Sequence, residues 1–363
     1  MSNAIARLNE FGQSPWYDNI TRELVRSGTL ARMVADDGIR GVTSNPTIFD
    51  KAMSSGDAYD EQLADLVRGG ASIDTSFWEL VLTDIGEAAD VLRPVHDASG
   101  GADGFVSIEV APDRANETDA TIQQVGWLHD RLNRPNVFVK IPATQEGLTA
   151  IEESISAGIP VNVTLTFSLD RYDGVIDAYL RGLERLAQSG GDLTTVASVA
   201  SFFVSRVDTE VDRRLPDGSP LRGRAAVANA KLAYELFRQR FAGDRWEVLA
   251  QQGARLQRPL WASTSTKNPD YPDTMYVDEL VGRDTVNTLA QASIDALRDH
   301  GDPKPDTVTH DVDGARELLA ELAEAGVDYD DVTATLEREG VDSFGRSYFD
   351  CLETLEKRAG ELA

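Results

Sequence analysis

Residues 133–144 read NRPNVFVKIPAT. Val137, Phe138, Val139 and Ile141 favour a β-strand. Their continuous apolar run predicts a strand covered on both faces, as in a parallel sheet. Lys140 interrupts the run. An unpaired ammonium buried in a strand is costly, so this lysine needs a buried partner, a task, or both.

Seven other short runs share that apolar character: PWYD (15–18), GVTSN (41–45), FVSIEV (105–110), VNVTLTF (161–167), TVASVAS (195–201), PLWAST (259–264) and TVNTLA (285–290). Helical patterns separate them. Thr118–Leu132 places Ile122, Val125, Leu128 and Leu132 on one stripe. A second pattern starts at a capping Ser168, carries Tyr172, Ile176, Tyr179, Leu183 and Leu186, and stops at Gly190-Gly191. Strand–helix alternation predicts an α/β fold. Eight strands favour a closed (β/α)8 barrel, the TIM-barrel architecture, over an open sheet. No GxGxxG turn follows the first strand, which counts against dinucleotide binding. Two helical patterns are expected between the second and third runs. After Asp302 three acidic helical patterns follow with no strand. The expected organisation is therefore a barrel with an N-terminal helix over 1–301 and a C-terminal helical extension, packed on the barrel, over 302–363.

The chain has 363 residues, 35 Lys and Arg against 61 Asp and Glu, and a net charge of −26. Nucleic acid and membrane surfaces call for basic patches and are not expected partners. An anionic small molecule is compatible only with a locally positive pocket. One cysteine, Cys351, precludes an internal disulfide. A cytoplasmic location is the expectation, since the first residues lack an apolar signal core and no run is long enough to span a membrane.

Active sites of such barrels lie at the C-terminal strand ends. Those ends carry Asp18, Thr43-Ser44-Asn45, Glu109, Lys140, Asn162 with Thr164, Ser201 and Ser263. Each alone could be a satisfied core group; together they suggest chemistry. Desolvation disfavours an ammonium, so Lys140 in a barrel mouth is poised to be a neutral amine that forms a Schiff base with a ketone. A lysine paired with Glu109 or Asp18 for structure alone fits the same residues. Asp18 and Glu109 could move protons, and Asn45 and Asn162 could bind hydroxyls. Arg206, with Ser201, and Lys267, in the loop after the seventh run, could bind phosphate. Lys231 reads as a helix-surface residue. The four histidines show no ligand spacing, and the chemistry needs neither metal nor cofactor.

The motifs GVTSNPTIF (41–49), VSIEV (106–110), VFVKIPAT (137–144), VNVTLTFS (161–168), ASFFVSRVD (200–208) and RPLWASTSTKNP (258–269) occur in one order. In these the chain resembles the transaldolase family, of the longer bacterial type. The resemblance implies a class I aldolase barrel with Lys140 as the Schiff-base residue. It implies transfer of a dihydroxyacetone unit from sedoheptulose 7-phosphate to glyceraldehyde 3-phosphate, giving erythrose 4-phosphate and fructose 6-phosphate, in the non-oxidative pentose phosphate pathway. Sugar phosphates are then the partners, with the protein a monomer or homodimer. The family's acid/base aspartate and glutamate fall on Asp18 and Glu109. Its donor-binding asparagines fall on Asn45 and Asn162, and its water-positioning threonine on Thr164. The serine, aromatic and arginine of the sixth strand fall on Ser201, Phe203 and Arg206. Ser263 and Lys267 follow the seventh strand, where many members carry a phosphate-binding arginine. Lys267 stands in its place, displaced along the loop.

Overall fold

The computed structural model describes residues 3–362. Eight strands close into one parallel barrel in chain order: β1 (Gln13–Tyr17), β2 (Gly41–Val42), β3 (Val106–Glu109), β4 (Val137–Pro142), β5 (Val161–Thr166), β6 (Ser198–Phe203), β7 (Gln257–Ala262) and β8 (Thr285–Leu289). All eight expected runs contribute one. Nearly every strand residue is buried, because helices cover the outside and side chains fill the inside.

The filling follows from the period-two alternation of strands. On β4, Lys140 and Phe138 share the inward face. Phe138 stacks on Trp16 of β1 with centroids 6.1 Å apart, and on Phe105 at 4.0 Å. β1 and β4 are not neighbours, so these rings meet inside the barrel and form an aromatic floor beneath Lys140. Trp16 Nε1 donates to Asp103 Oδ1 at 2.8 Å, so its polar edge is satisfied.

On β5 the register against β6 passes from Val163↔Ala200 to Thr166↔Phe202. Four residues there oppose three, which is a β-bulge. Leu165 absorbs it with a φ of 57°. That left-handed conformation is costly for a branched residue, of order 1–3 kcal/mol. It lies one residue from Thr164, at the mouth of the barrel.

Helix boundaries match the sequence where caps and stripes were clear. The helix Leu169–Gln188 begins at Ser168, whose side chain accepts from the Arg171 amide. The helix Thr118–Leu132 ends at Asn133 in the left-handed region. Four expectations need correction. The sixth strand starts at Ser198, because Leu193–Thr195 form a 3-10 turn initiated by the Asp192 side chain. Between β2 and β3 lie three helices, Pro46–Met53, Asp60–Arg68 and Ile73–Ala98, and not two. The three acidic patterns after Asp302 are two helices, Val312–Glu324 and Tyr329–Leu362, preceded by a 3-10 turn. Nothing within 329–362 stops the second of these. Its Gly340 serves close packing, since a Cβ there would lie 2.9 Å from Leu165 Cδ2. Lys231 is buried, with Nζ 3.0 Å from Glu279 Oε2. Its helix, Ala225–Arg240, packs against Val312–Glu324 and so lacks the free face that the pattern suggested.

The helix Tyr329–Leu362 crosses the C-terminal end of the barrel. Arg171 reaches Glu337 at 3.3 Å on one side. Thr47 and Ser347 hydroxyls meet at 2.8 Å, and the Tyr348 hydroxyl donates to Asp74 at 2.9 Å, on the other.

Gly41 pairs with Trp16 in the β1–β2 register, and a Cβ at Gly41 would lie 2.5 Å from the indole. Trp16 is fully buried and cannot retreat. Gly41→Ala is therefore expected to cost about 1–3 kcal/mol, read as a lower urea midpoint at unchanged slope. An unshifted midpoint would mean that the aromatic floor yields.

Candidate active site

Glu109, Lys140 and Asn162 are cross-strand partners on β3, β4 and β5. They form one inward row above the aromatic floor. Lys140 is 5% exposed and Glu109 7%. Lys140 Nζ lies 3.3 Å from Glu109 Oε2 and donates to the Ser44 carbonyl at 3.0 Å. The lysine thus has its buried partner, and its tip also reaches a cavity of about 280 Å³ at the barrel mouth. Burial pushes the Glu109 carboxyl above the usual carboxylate range, while the charge of Lys140 beside it pulls the other way.

Asp18 lies one residue past β1, its amide bonded to the Leu289 carbonyl at 2.9 Å. Thr43 Oγ1 donates to Asp18 Oδ1 at 2.7 Å and makes a short contact with Thr288 Oγ1. Burial raises the Asp18 pKa; the Thr43 hydrogen bond, then Lys140, Lys267 and Arg206, oppose the rise. The site therefore holds two carboxylates, each biased toward its protonated form by desolvation and restrained by nearby donors.

Asp18, Asn45, Lys140, Thr164, Ser201, Phe203, Arg206, Ser263 and Lys267 all border the cavity. Glu109 stands behind Lys140, and Asn162 is fully buried beside it. Asn162 donates to Ser107 Oγ at 3.0 Å and accepts from Ser201 Oγ at 2.8 Å. It is thus set between strands in this structure, and a change of its partners would be needed for it to hold a ligand hydroxyl. Asn45 also has a structural duty. Its Oδ1 accepts from the Ile48 amide at 3.0 Å and caps the helix Pro46–Met53, which leaves its Nδ2 as the group available to a ligand. Thr164 Oγ1 is buried and has no hydrogen-bond partner among the described residues.

Arg206 sits in the first turn of the helix Ser205–Arg214. Its guanidinium lies over Phe203, 5.3 Å from the centroid, and beside Phe344 at 5.8 Å. Burial lowers its pKa, against the pull of Glu109, Glu339 and Asp18. Burial, then repulsion from Arg206, lowers that of Lys267. Ser263 takes a φ of 57°, and its carbonyl and hydroxyl both bond Ser205, tying the β7 loop to the start of the Arg206 helix. Among the described residues no three His, Cys, Asp or Glu side chains gather as a metal site.

Sequence reasoning missed several parts. Phe344 comes from the C-terminal extension, where no motif marked it. Ser107 lay inside a quoted strand, and only the fold brings it to Asn162. Thr288 was hidden in the eighth run. Lys51, on the helix after β2, borders the cavity although its context gave no signal.

Comparison with known proteins agrees with this geometry. A family model described as "Transaldolase/Fructose-6-phosphate aldolase" matches residues 15–355. A transaldolase of Frankia alni is 50% identical over 365 residues, covering 99% of this chain and 98% of the relative. A transaldolase of Thermobifida fusca is 50% identical, covering 100% and 99%, and transaldolase 1 of Streptomyces avermitilis is 51% identical, covering 97% and 94%. With an eight-stranded parallel barrel, an inward lysine on its fourth strand and relatives matched along their whole length, the chain belongs to the transaldolase/fructose-6-phosphate aldolase family.

Proposed function

We propose that this protein transfers a dihydroxyacetone unit from sedoheptulose 7-phosphate to glyceraldehyde 3-phosphate, within the non-oxidative pentose phosphate pathway, through a Schiff base on Lys140. The observation that carries the reading is the buried Lys140 amine, held 3.3 Å from Glu109 at the floor of a cavity that Asp18 also borders.

An amine must be neutral to attack a ketone. Glu109 is placed to take the ammonium proton, and its raised pKa makes it a better acceptor than a solvated carboxylate. Lys140 adds to the donor's C2 carbonyl to give a carbinolamine. Glu109 returns a proton as water leaves, through a water molecule held by the Thr164 hydroxyl, and an iminium forms. Asp18 then takes the proton of the C4 hydroxyl. The C3–C4 bond breaks, its electron pair enters the iminium, and an aldose phosphate departs. The remaining three-carbon enamine attacks the acceptor aldehyde by the reverse sequence, and hydrolysis frees Lys140. Asn45 through its Nδ2, and Asn162 once it exchanges its bonds to Ser107 or Ser201, hold the hydroxyls of the three-carbon unit. Arg206 grips the phosphate as a two-pronged donor, and Lys267 adds a point charge. Ser201, Phe203 and Ser263 shape the pocket around them.

The segments 1–301 and 302–363 act together in this reading, because Phe344 of the second supports Arg206 of the first. No helix of the described residues is long and apolar enough to cross a membrane, which suits work on small sugar phosphates. A plain aldolase on the same site would release free dihydroxyacetone. Dependence of turnover on an aldose acceptor separates the two.

Borohydride added with fructose 6-phosphate is expected to inactivate the enzyme and to label Lys140 alone, as mapped by peptide mass spectrometry. Label on Lys267 or Lys231 in its place would end the mechanism.

Asp18→Ala and Glu109→Ala are expected to fail at different steps, each losing about 10²–10⁴-fold in rate. Without Asp18 the imine forms but the bond does not break, so borohydride traps intact donor. Without Glu109 imine formation itself slows. Equal yields of trapped donor in the two variants would refute this division.

Thr43→Val removes the hydroxyl that donates to the ionised Asp18. Loss of a donor to the charged form raises a carboxyl pKa further. Asp18 must be ionised to accept the proton, so the acid limb of the kcat–pH profile moves to higher pH, while Thr43→Ser keeps it in place. A limb that stays put in Thr43→Val would assign it to another group.

A further inference from the structure

Besides Lys140, three cations border the cavity: Lys51, Arg206 and Lys267. None forms an ion pair with a described residue, although the chain carries 61 carboxylates. Lys51 is the one to which neither the sequence nor the mechanism gives a task. It lies in the last turn of the helix Pro46–Met53, exposed, with an ammonium that makes no hydrogen bond to a described residue. Its charge is felt by Asp50, its neighbour in sequence, and as repulsion by Lys267. Lys267 is repelled by both Arg206 and Lys51 and attracted by Asp18, so three cations face Asp18 across one cavity, which favours a further anion there.

Lys51 also borders a second cavity, of about 400 Å³, on the β1–β2 side of the mouth. Asp18 and Ile48 border both cavities as well. The carboxylate assigned to breaking the C3–C4 bond therefore stands where the two cavities meet, and Lys51 lines both with it. The aldose half of the donor lies beyond the broken bond, on the Asp18 side. An aldose phosphate that enters or leaves by way of the second cavity passes this junction.

We propose that Lys51 is a third phosphate-recognising residue, which receives phosphorylated donors and acceptors where the two cavities meet and passes them to Arg206 and Lys267. The proposal rests on the transfer reaction described above. A single exposed ammonium on a flexible stem suits a transient contact, in contrast to the fixed fork of Arg206. Both half-reactions use a phosphorylated substrate, so Lys51 serves both.

The test is steady-state kinetics of Lys51→Ala, Lys51→Arg and Lys51→Glu with fructose 6-phosphate as donor and an aldose phosphate as acceptor, set beside unphosphorylated fructose as donor. Lys51→Ala is expected to raise KM for both phosphorylated substrates by about three- to tenfold, in the range of exposed charge contacts and steering. Its kcat, its KM for fructose and its melting temperature stay as in the unaltered enzyme. Lys51→Arg restores KM, Lys51→Glu raises it further, and added salt narrows the differences. An unchanged KM for fructose 6-phosphate in Lys51→Ala overturns the proposal, as does an equal rise for fructose. An unaltered enzyme with no acceptor-dependent turnover overturns the functional reading and this proposal with it, and is distinguished by the missing activity before any substitution is made.

Discussion

The contact between Lys140 and Glu109 is the constraint around which the barrel is organised. An amine and a carboxylate are removed together from water, and the penalty for either alone would be severe. The fold meets it with a cross-strand pair on β3 and β4, a carbonyl from Ser44 on the second-strand side, and an aromatic floor that keeps water out from below. In the proposed mechanism the same burial that endangers the pair also makes it reactive. A carboxyl pushed upward by desolvation can hold the proton that the amine must lose. Stability and chemistry draw here on one arrangement, so the floor, the row and the mouth are parts of a single device.

Backbone conformation at the mouth carries a cost of its own. Leu165 and Ser263, neither of them glycine, take positive φ at the ends of β5 and β7. Each frames a residue that borders the cavity: the first sits beside Thr164, and the second ties its loop to the helix that bears Arg206. Strain of this kind persists where the surrounding structure holds it in place and tends to mark functional sites. Here the helix Tyr329–Leu362 supplies that hold at Leu165, through the notch at Gly340.

The barrel was legible because its strands are buried on both faces. Continuous apolar runs such as 137–142 say so directly, and a polar residue at the end of such a run stands out against them. Lys140, Glu109 and Asp18 were picked out as candidates in this way. What alternation and composition do not carry is the second duty of a side chain. Asn45 looked like a ligand group and is also a helix cap; Asn162 looked like one and is bonded to Ser107 and Ser201. Nor do they carry long-range packing. Lys231 was read as exposed because its covering helix begins 81 residues later, at Val312. The β5 bulge leaves no trace in the residues that form it. Phe344 touches Arg206 only because one unbroken helix spans the mouth, and three acidic patterns gave no hint of their continuity.

That helix also fixes the order in which the site comes into being. Ribosomes deliver the chain from its first residue, and all eight strands, with Lys140, Asp18 and Arg206, precede Tyr329. Thr47 and Ser347 meet across 300 residues of sequence, and Cys351 Sγ meets Met53 Sδ at 3.6 Å across 298. Closing so long a loop adds little free-energy cost over a shorter one, but such distant contacts form slowly. A nascent chain therefore carries the Lys140 amine before it carries the aromatic cover over Arg206. The guanidinium gains its second flank only after Phe344 has been added, 138 residues later than Arg206 itself.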